Sequence, residues 1–357
     1  MADLSDFEQA AEAVNVERLL ASKASFEAKT RQLTSALRRE TALRETVEHE
    51  LGVLRHLGNR QTSPPKWLTR KGTSKHRGTV CSILSDLHFD EVVRPEELNG
   101  YNAYNREIAE KRLRRWAERT IILARDYIQG IDYDGAMVAL GGDVVTGTIH
   151  DELARTNEAE VADTVVHWTE RLEAALRMIV DEFGRLHVPC VDGNHDRAYK
   201  QIPTKRRARS SVTWIVYNFL ARAFQNDKRV TFTIAESPDL RFKVYDHRYL
   251  LTHGDSFSGG SGIAGIMSPL MLGQHRKLRK LSEMGDPYDT MLLGHFHQYL
   301  TLPSMIANGC LKGYDEYASS RNFPPEPPQQ AFWISTPEFG PSLHAPVRVS
   351  KRSEEGW

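Results

Sequence analysis

The sequence predicts an α/β protein, a sheet of buried strands flanked by helices and preceded by a helical arm. Three observations carry this expectation. Short apolar runs ending in glycine and a polar residue recur along the chain: "AMVALGGD" (136–143), "HVPCVDGNHD" (187–196) and "YDTMLLGHFH" (288–297). Amphipathic helical stretches, roughly 106–129 and 151–183, alternate with such runs, the order expected of a sheet whose site lies off the strand carboxyl ends. Residues 1 to 58 contain no Pro and are dominated by strong helix formers.

The elements follow in order. In the arm, Leu19, Phe26, Leu33, Val47 and Leu54 fall seven apart with Glu40 interrupting, while Leu37 and Leu51 form part of a second seam that Lys23, Thr30 and Arg44 spoil. This half-filled heptad fits a helical hairpin or a modest coiled coil serving as a homodimerisation arm, or else a helix folded back on the catalytic domain, and the pattern does not choose between them. Residues 59–77, rich in Pro, Gly, Ser and basic side chains, read as a linker, and 78–350 as the catalytic domain. "TVCSILSDLHF" opens the domain's first strand, "FKVYDHRYLLTHGD" (242–255) reads as a further strand with a polar end, and "FPPEPPQQAFWISTP" as a Pro-rich turn leading into an edge strand. Residues 351–357 read as a tail.

Composition sets the outer limits. Hydrophobic residues make up 40% and charged residues 26% of 357, ordinary for a soluble globular protein. No apolar run reaches the length of a transmembrane span, and the acidic start "MADLSDFEQA" does not resemble a signal peptide. Cys81, Cys190 and Cys310 are far apart and odd in number, so they read as reduced thiols of a cytoplasmic protein. Net charge is zero, but Arg197 to Arg209 carries six Lys or Arg and no acid, and "HRKLRK" (275–280) adds four more.

Five strand ends carry the same kind of residue: Asp86 and His88 in "SDLHF", Asp143 in "GGDVV", Asn194 and His195 in "GNHD", His253 in "THGD", and His295 and His297 in "GHFH". Any one of these has an ordinary explanation as a turn, a helix cap or a core histidine. Their joint recurrence is what a two-metal centre requires. Two divalent ions about 3.5–4 Å apart repel each other and need an anion between them, for which Asp143 is the natural candidate. Imidazole mixed with carboxylate suits Mn²⁺, Fe or Zn²⁺, whereas an all-oxygen set would favour Mg²⁺ or Ca²⁺.

In this order, the blocks D-x-H, G-D, G-N-H-D, a lone His and G-H-x-H resemble the calcineurin-like metallophosphoesterase family, from Asp86 to His297. The resemblance implies a four-layer β-sandwich flanked by helices, with two divalent metal ions, Mn²⁺ foremost. It implies that Asp86, His88, Asp143 and His297 hold one metal, and that Asp143, Asn194, His253 and His295 hold the other. His195 would face the scissile phosphate, and Asp196 would orient the His195 ring. The implied activity is metal-dependent phosphoester hydrolysis.

For the substrate, "SDLHF" is similar to the first block of SbcD-type DNA nucleases. The glycine-rich segment with Gly259, Gly260, Gly262 and Gly265, together with "NGCLKGYDEYA", resembles bacteriophage-encoded members of the family. The basic run after His195 supplies Arg197, Lys205, Arg206, Arg207 and Arg209 as candidate contacts to a nucleic-acid backbone, with Tyr199, Trp214 and Tyr217 nearby as stacking candidates. The expectation is a nuclease. A small-nucleotide phosphodiesterase or phosphatase, a protein phosphatase and a non-catalytic scaffold stay open beside it.

Overall fold

In the computed structural model, residues 20, 22–45, 48, 65, 66, 68, 76–257 and 265–357 are described. The chain divides into two units, Met1–Arg60 and Gln61–Trp357. Within the first, residues 22–45 form one helix (α1). The seam residues Phe26, Leu33 and Leu37 are exposed on it, while Leu19, Val47, Leu51 and Leu54 lie outside the described residues.

The second unit is built on two sheets. In the first sheet, β1 (Arg77–Leu84), β2 (Asp132–Leu140), β3 (Leu186–Cys190) and β4 (Val230–Ile234) run parallel, and β10 (Gln329–Thr336) and β11 (Gly340–Arg348) add antiparallel on the other side, in the order β11-β10-β1-β2-β3-β4. In the second sheet the order is β5-β6-β7-β9-β8, from β5 (Asp239–Val244), β6 (His247–Thr252), β7 (Thr290–Leu293), β9 (Met305–Ala307) and β8 (Leu300–Leu302). There β6, β7 and β9 are mutually parallel. The helices of this unit are α2 (Arg106–Ile122), α3 (Asp151–Thr156), α4 (Val161–Phe183), α5 (Val212–Ala223), α6 (Met267–Glu283), α7 (Glu316–Ser320) and α8 (Arg352–Glu355).

The period-two alternation of side chains along a strand sorts these elements into four layers. Val80 and Leu84 of β1, with Ala136, Val138 and Leu140 of β2, face a core shared with Trp116 of α2, Trp168 and Leu172 of α4 and Val216 of α5. Cys81 and Ile83, Met137 and Ala139, and Trp333 point the other way and meet Tyr249, Leu251, Leu292 and Ile306 between the sheets. The reverse face of the second sheet, Leu250, Met291, Leu293 and Met305, packs on Leu270 and Leu281 of α6. Burial of each such large side chain stabilises the fold by roughly 1.5–3 kcal/mol. The buried indoles keep partners: Trp116 Nε1 donates to Ser82 Oγ at 3.1 Å and Trp333 Nε1 to Tyr249 Oη at 3.2 Å.

Several expectations are corrected. Residues 242–255 are a hairpin and not one strand, because Tyr245 turns with a positive φ of 57° and the chain returns from Val244 to His247. The segment 329–336 is interior, since β11 covers it, and its buried pattern reflects that position. The helix expected over 151–183 breaks at Asn157, whose extended backbone and Nδ2 bond to the Gly147 carbonyl stop α3. The linker contains a core residue, Leu68, wholly buried between the sheets. Residues 351–357 are no tail: Glu355 is buried against Arg112, itself fully buried, which also donates to the carbonyls of Ala103, Leu311 and Lys312. Of these residues the sequence shows only an acid near one end and an arginine on a helix.

His187 of β3 is fully buried, with Nε2 2.9 Å from Thr233 Oγ1. Burial pulls it down from 6.5 to about 3. The unfolded chain therefore takes a proton near its ordinary value, and the folded chain takes one only far lower. Stability supplied by neutral His187 is full above pH 6.5 and falls as pH drops toward 3, by up to about 1.4 kcal/mol per unit. Urea unfolding across that window should show a shallower acid slope in His187→Gln than in the parent; equal slopes would contradict this.

Candidate metal centre

The carboxyl ends of β1, β2 and β3 lie side by side in one sheet and those of β6 and β7 side by side in the other. The loops that leave them are bonded to one another. The amides of Asp86, Leu87 and His88 donate to the carbonyls of Gly142 and Asp143, and that of Gly294 to His253. Side chains distant in sequence are thereby brought to one place.

Two clusters result. Asp86, His88 and His297 each bring a ligand atom to within 4.8 Å of one another, and so do Asp143, His253 and His295. In the first, His88 Nε2 and His297 Nε2 stand 3.1 Å apart, and His297 Nε2 is 3.5 Å from Asp86 Oδ1. In the second, His253 Nε2 is 3.0 Å from Asp143 Oδ2 and 3.0 Å from Asn194 Oδ1. Asp86, His88, Asp143 and His253 are all buried.

The donor chemistry of the second cluster fits a cation. His253 Nδ1 is 2.8 Å from the Gly141 carbonyl, an acceptor, so Nδ1 carries the ring proton and Nε2 presents a lone pair. That lone pair faces two oxygens that also only accept. Asp143 Oδ2 is close to the ring by distance, yet the pair makes no hydrogen bond by geometry, leaving the oxygen buried without a donor. A convergence of acceptors needs a positive charge at its centre. Without one the ring itself must supply it: burial opposes the charge, but Asp143 holds His253 up to about 10.

The backbone is bent to make these clusters. Asp86, His88, Asp143, His295 and His297 all have φ between 47° and 66°, a region that Asp and His tolerate better than most residues but that still costs energy. Glycines clear the space. A β-carbon at Gly193 would overlap the Asp143 carboxylate, and one at Gly294 would overlap Asp86 and Ser85 Oγ.

His195 stands over the first cluster, its ring centroid 4.8 Å from that of His88, with His150 5.3 Å away on another side. Its amide donates to Asp143 Oδ1 at 2.7 Å, and its Nδ1 is buried without a partner. Burial, only partly offset by Asp143 and joined by the cationic Lys312, lowers it to about 4, so the ring is neutral near pH 7. The expected orienting role of Asp196 is not seen. Asp196 Oδ2 accepts the amides of Asp143 and Gly193, each at 2.9 Å, and so ties two loops together instead of gripping the His195 ring.

The expected basic track is also corrected. Arg207 pairs with Asp192 and Asp255, and Arg209 pairs with Glu236 and lies over Trp214. Arg197 donates to the carbonyls of Asn194, Tyr199 and Lys200. Lys205 and Arg206 are exposed, as is Tyr199, whereas Tyr217 is buried with its hydroxyl on the Val191 carbonyl. Gly259, Gly260 and Gly262 lie outside the described residues; Gly265 has a positive φ of 48°.

Sequence reasoning missed the polar groups behind the clusters. Lys312, buried, donates to Glu91 Oε1 at 2.7 Å and to Asp315, and Glu91 Oε2 is 3.5 Å from His88 Nδ1. Ser85 Oγ donates to Asp86 Oδ2 at 2.5 Å and receives from Asn308 Nδ2 at 2.9 Å, which also bonds Gln330. The one signal for them was "NGCLKGYDEYA" itself, a polar stretch following a buried strand. The three cysteines are buried and form no disulfide, with Cys310 Sγ 3.1 Å from the Asp86 carbonyl.

No protein-family profile and no curated protein matches the chain. Among solved structures it is similar to a single mutant of Vps29 from Entamoeba histolytica, at 11% identity over 75% of this chain and 99% of that one, with a TM-score of 0.29. It is also similar to a dimetal phosphatase from Danio rerio, at 10% identity over 76% and 99%, TM-score 0.34. A third is a Staphylococcus aureus protein assigned as a 5′-nucleotidase, in complex with alpha-ketoglutarate, at 10% identity over 77% and 55%, TM-score 0.29. Among the described residues no helix is long and apolar enough to cross a membrane.

Gly294→Ala should push the Asp86 carboxylate out of the first cluster while leaving the second intact. Mn²⁺ bound per folded chain, measured by equilibrium dialysis, is expected to fall by one ion; unchanged stoichiometry and affinity would show that the packing against Gly294 is not required.

Proposed function

We propose that the chain is a metal-dependent phosphoester hydrolase of the calcineurin-like metallophosphoesterase kind, acting on phosphodiesters. The observation that carries this reading is the pair of adjoining clusters, Asp86, His88 and His297 beside Asp143, His253 and His295, in which the buried Asp143 Oδ2 meets no hydrogen-bond donor. Asp86, His88 and His297 would hold one divalent cation, and Asp143, Asn194, His253 and His295 the other, with Asp143 also placed between them. A cation pair supplies a more acidic bound water and neutralises charge on the phosphoryl oxygens. Imidazole and carboxylate together suit Mn²⁺, with Fe or Zn²⁺ also compatible.

The chain's own residues do the rest. Ser85 Oγ donates to Asp86 and orients its carboxylate, which lowers the cost of arranging it when substrate arrives, and Glu91 stands 3.5 Å from His88 Nδ1. His195, neutral and with an Nδ1 that lacks a partner, donates a hydrogen bond to a phosphoryl oxygen. Gly142, Gly193 and Gly294 let the loops approach so closely that a β-carbon at any of them would overlap a neighbouring loop.

A nucleic-acid substrate is favoured by one feature: the loop after His195 presents Tyr199, Lys205 and Arg206 on its exposed face. With Arg197, Arg207 and Arg209 engaged internally, that track is short. Each phosphate neutralised contributes about −0.9 to the slope of log affinity against log salt on duplex DNA, so two free cations predict a slope of about −2.

Steady-state hydrolysis with Mn²⁺ tests both levels, comparing bis(p-nitrophenyl) phosphate, cyclic nucleotides and DNA. The parent should cleave the small diester, and His195→Ala should lose about 10²- to 10⁴-fold in turnover with both metal ions retained. Loss of metal from His195→Ala would make His195 a ligand and overturn its assigned role. Cleavage of small diesters with no DNA cleavage at any salt concentration would remove the nucleic-acid reading.

A further inference from the structure

Arg207 lies among the basic residues after His195, but it faces inward. Its neighbour Arg206 has a positive φ of 54° and is exposed, so the chain reverses there and carries the next side chain under the loop. Arg207 Nε donates to Asp192 Oδ2 at 2.6 Å, while Nη1 and Nη2 donate to the two oxygens of Asp255 at 2.8 and 3.1 Å. All three side chains are shielded, at 10%, 3% and 7% exposure.

The positions of the two acids give this pairing its meaning. Asp192 precedes Asn194 by two residues on the loop leaving β3, in the first sheet. Asp255 follows His253 by two residues on the loop leaving β6, in the second sheet. A single guanidinium thus bridges the two loops, one from each sheet, that present Asn194 and His253 to one another at 3.0 Å. Its flat fork satisfies three bonds in fixed directions, which a lysine ammonium cannot reproduce. One cation against two buried carboxylates also leaves a net negative charge beside the cluster, with Asp192 Oδ1 lacking any hydrogen-bond donor.

We propose that Arg207 is a positioning residue for the second cation site, fixing the spacing of Asn194 and His253 across the gap between the sheets. It does not touch substrate. The inference rests on the two-cation reading above, and it ties occupancy of that site to the 197–211 segment, whose outer face carries Tyr199, Lys205 and Arg206.

The test is Mn²⁺ binding by the metal-stripped full chain, followed by the electron paramagnetic resonance of free Mn²⁺ and performed on the parent, Arg207→Met and Arg207→Lys. The parent should bind two ions. Arg207→Met should keep one at parental affinity and bind the other about 10- to 100-fold more weakly, the usual effect of removing a group that orients a ligand; Arg207→Lys should show a smaller loss of the same sign. In a His297→Ala background, which lacks a donor of the first cluster, the remaining ion should show the full effect. Two ions at parental affinity in folded Arg207→Met would overturn the clamp alone, as would equal weakening of both. Fewer than two ions in the parent would overturn the two-cation reading and the clamp with it. Should Arg207→Met not fold, Arg207→Lys decides the matter, and parental affinity at both sites in that variant would overturn the proposal.

Discussion

Lone pairs that converge inside a protein, with no hydrogen to share, hold together only if something positive sits among them. That constraint governs this chain. His253 directs its proton to a backbone carbonyl and therefore turns its free nitrogen toward Asp143 and Asn194. In the first cluster two imidazole nitrogens stand 3.1 Å apart, with a carboxylate oxygen 3.5 Å from one of them. Left uncompensated, such groups cost several kcal/mol in desolvation and repulsion. The left-handed backbone at Asp86, His88, Asp143, His295 and His297 adds to that cost. The rest of the fold has to hold these groups against their mutual repulsion.

The holding is done by layers of progressively less polar structure. Around the clusters lie charged and amide groups committed to them: Glu91 with Lys312, Ser85 with Asn308 and Gln330, Asp196 on two loop amides, and Arg207 across the sheets. Behind these, the inter-sheet core of Cys81, Ile83, Met137, Leu292 and Trp333 fixes the separation of the two sheets. That separation sets the distance between donors from β1–β3 and donors from β6 and β7. The helices on the outer face and α6 on the other then bury the remaining strand surfaces. Site geometry is therefore a property of the sandwich as a whole.

The sequence made the clusters legible because each donor sits at a strand end, and Asp143, Asn194, His253 and His295 each adjoin a glycine, a local pattern that survives without tertiary information. The alternating apolar runs likewise announce the strands, and the amphipathic periods announce α2 and α4. What it conceals depends on distant partners. Arg207 and Arg209 look the same as Lys205 and Arg206 in the chain, and only the folded loop shows that two face carboxylates while two face outward. Glu91, Asn308 and Lys312 carry no spacing signal, since their role is to satisfy groups more than 200 residues away or in another loop. The interior position of β10 follows from a later strand pairing with it, and the burial of Glu355 from an arginine on α2.

The account's central claim is that these side chains enclose two cations. Anomalous X-ray diffraction from a Mn²⁺-soaked crystal addresses it most directly. The claim predicts two anomalous peaks about 3.5–4 Å apart, one bounded by Asp86, His88 and His297 and the other by Asp143, Asn194, His253 and His295. Absence of both peaks, or a single peak outside these clusters, would contradict it.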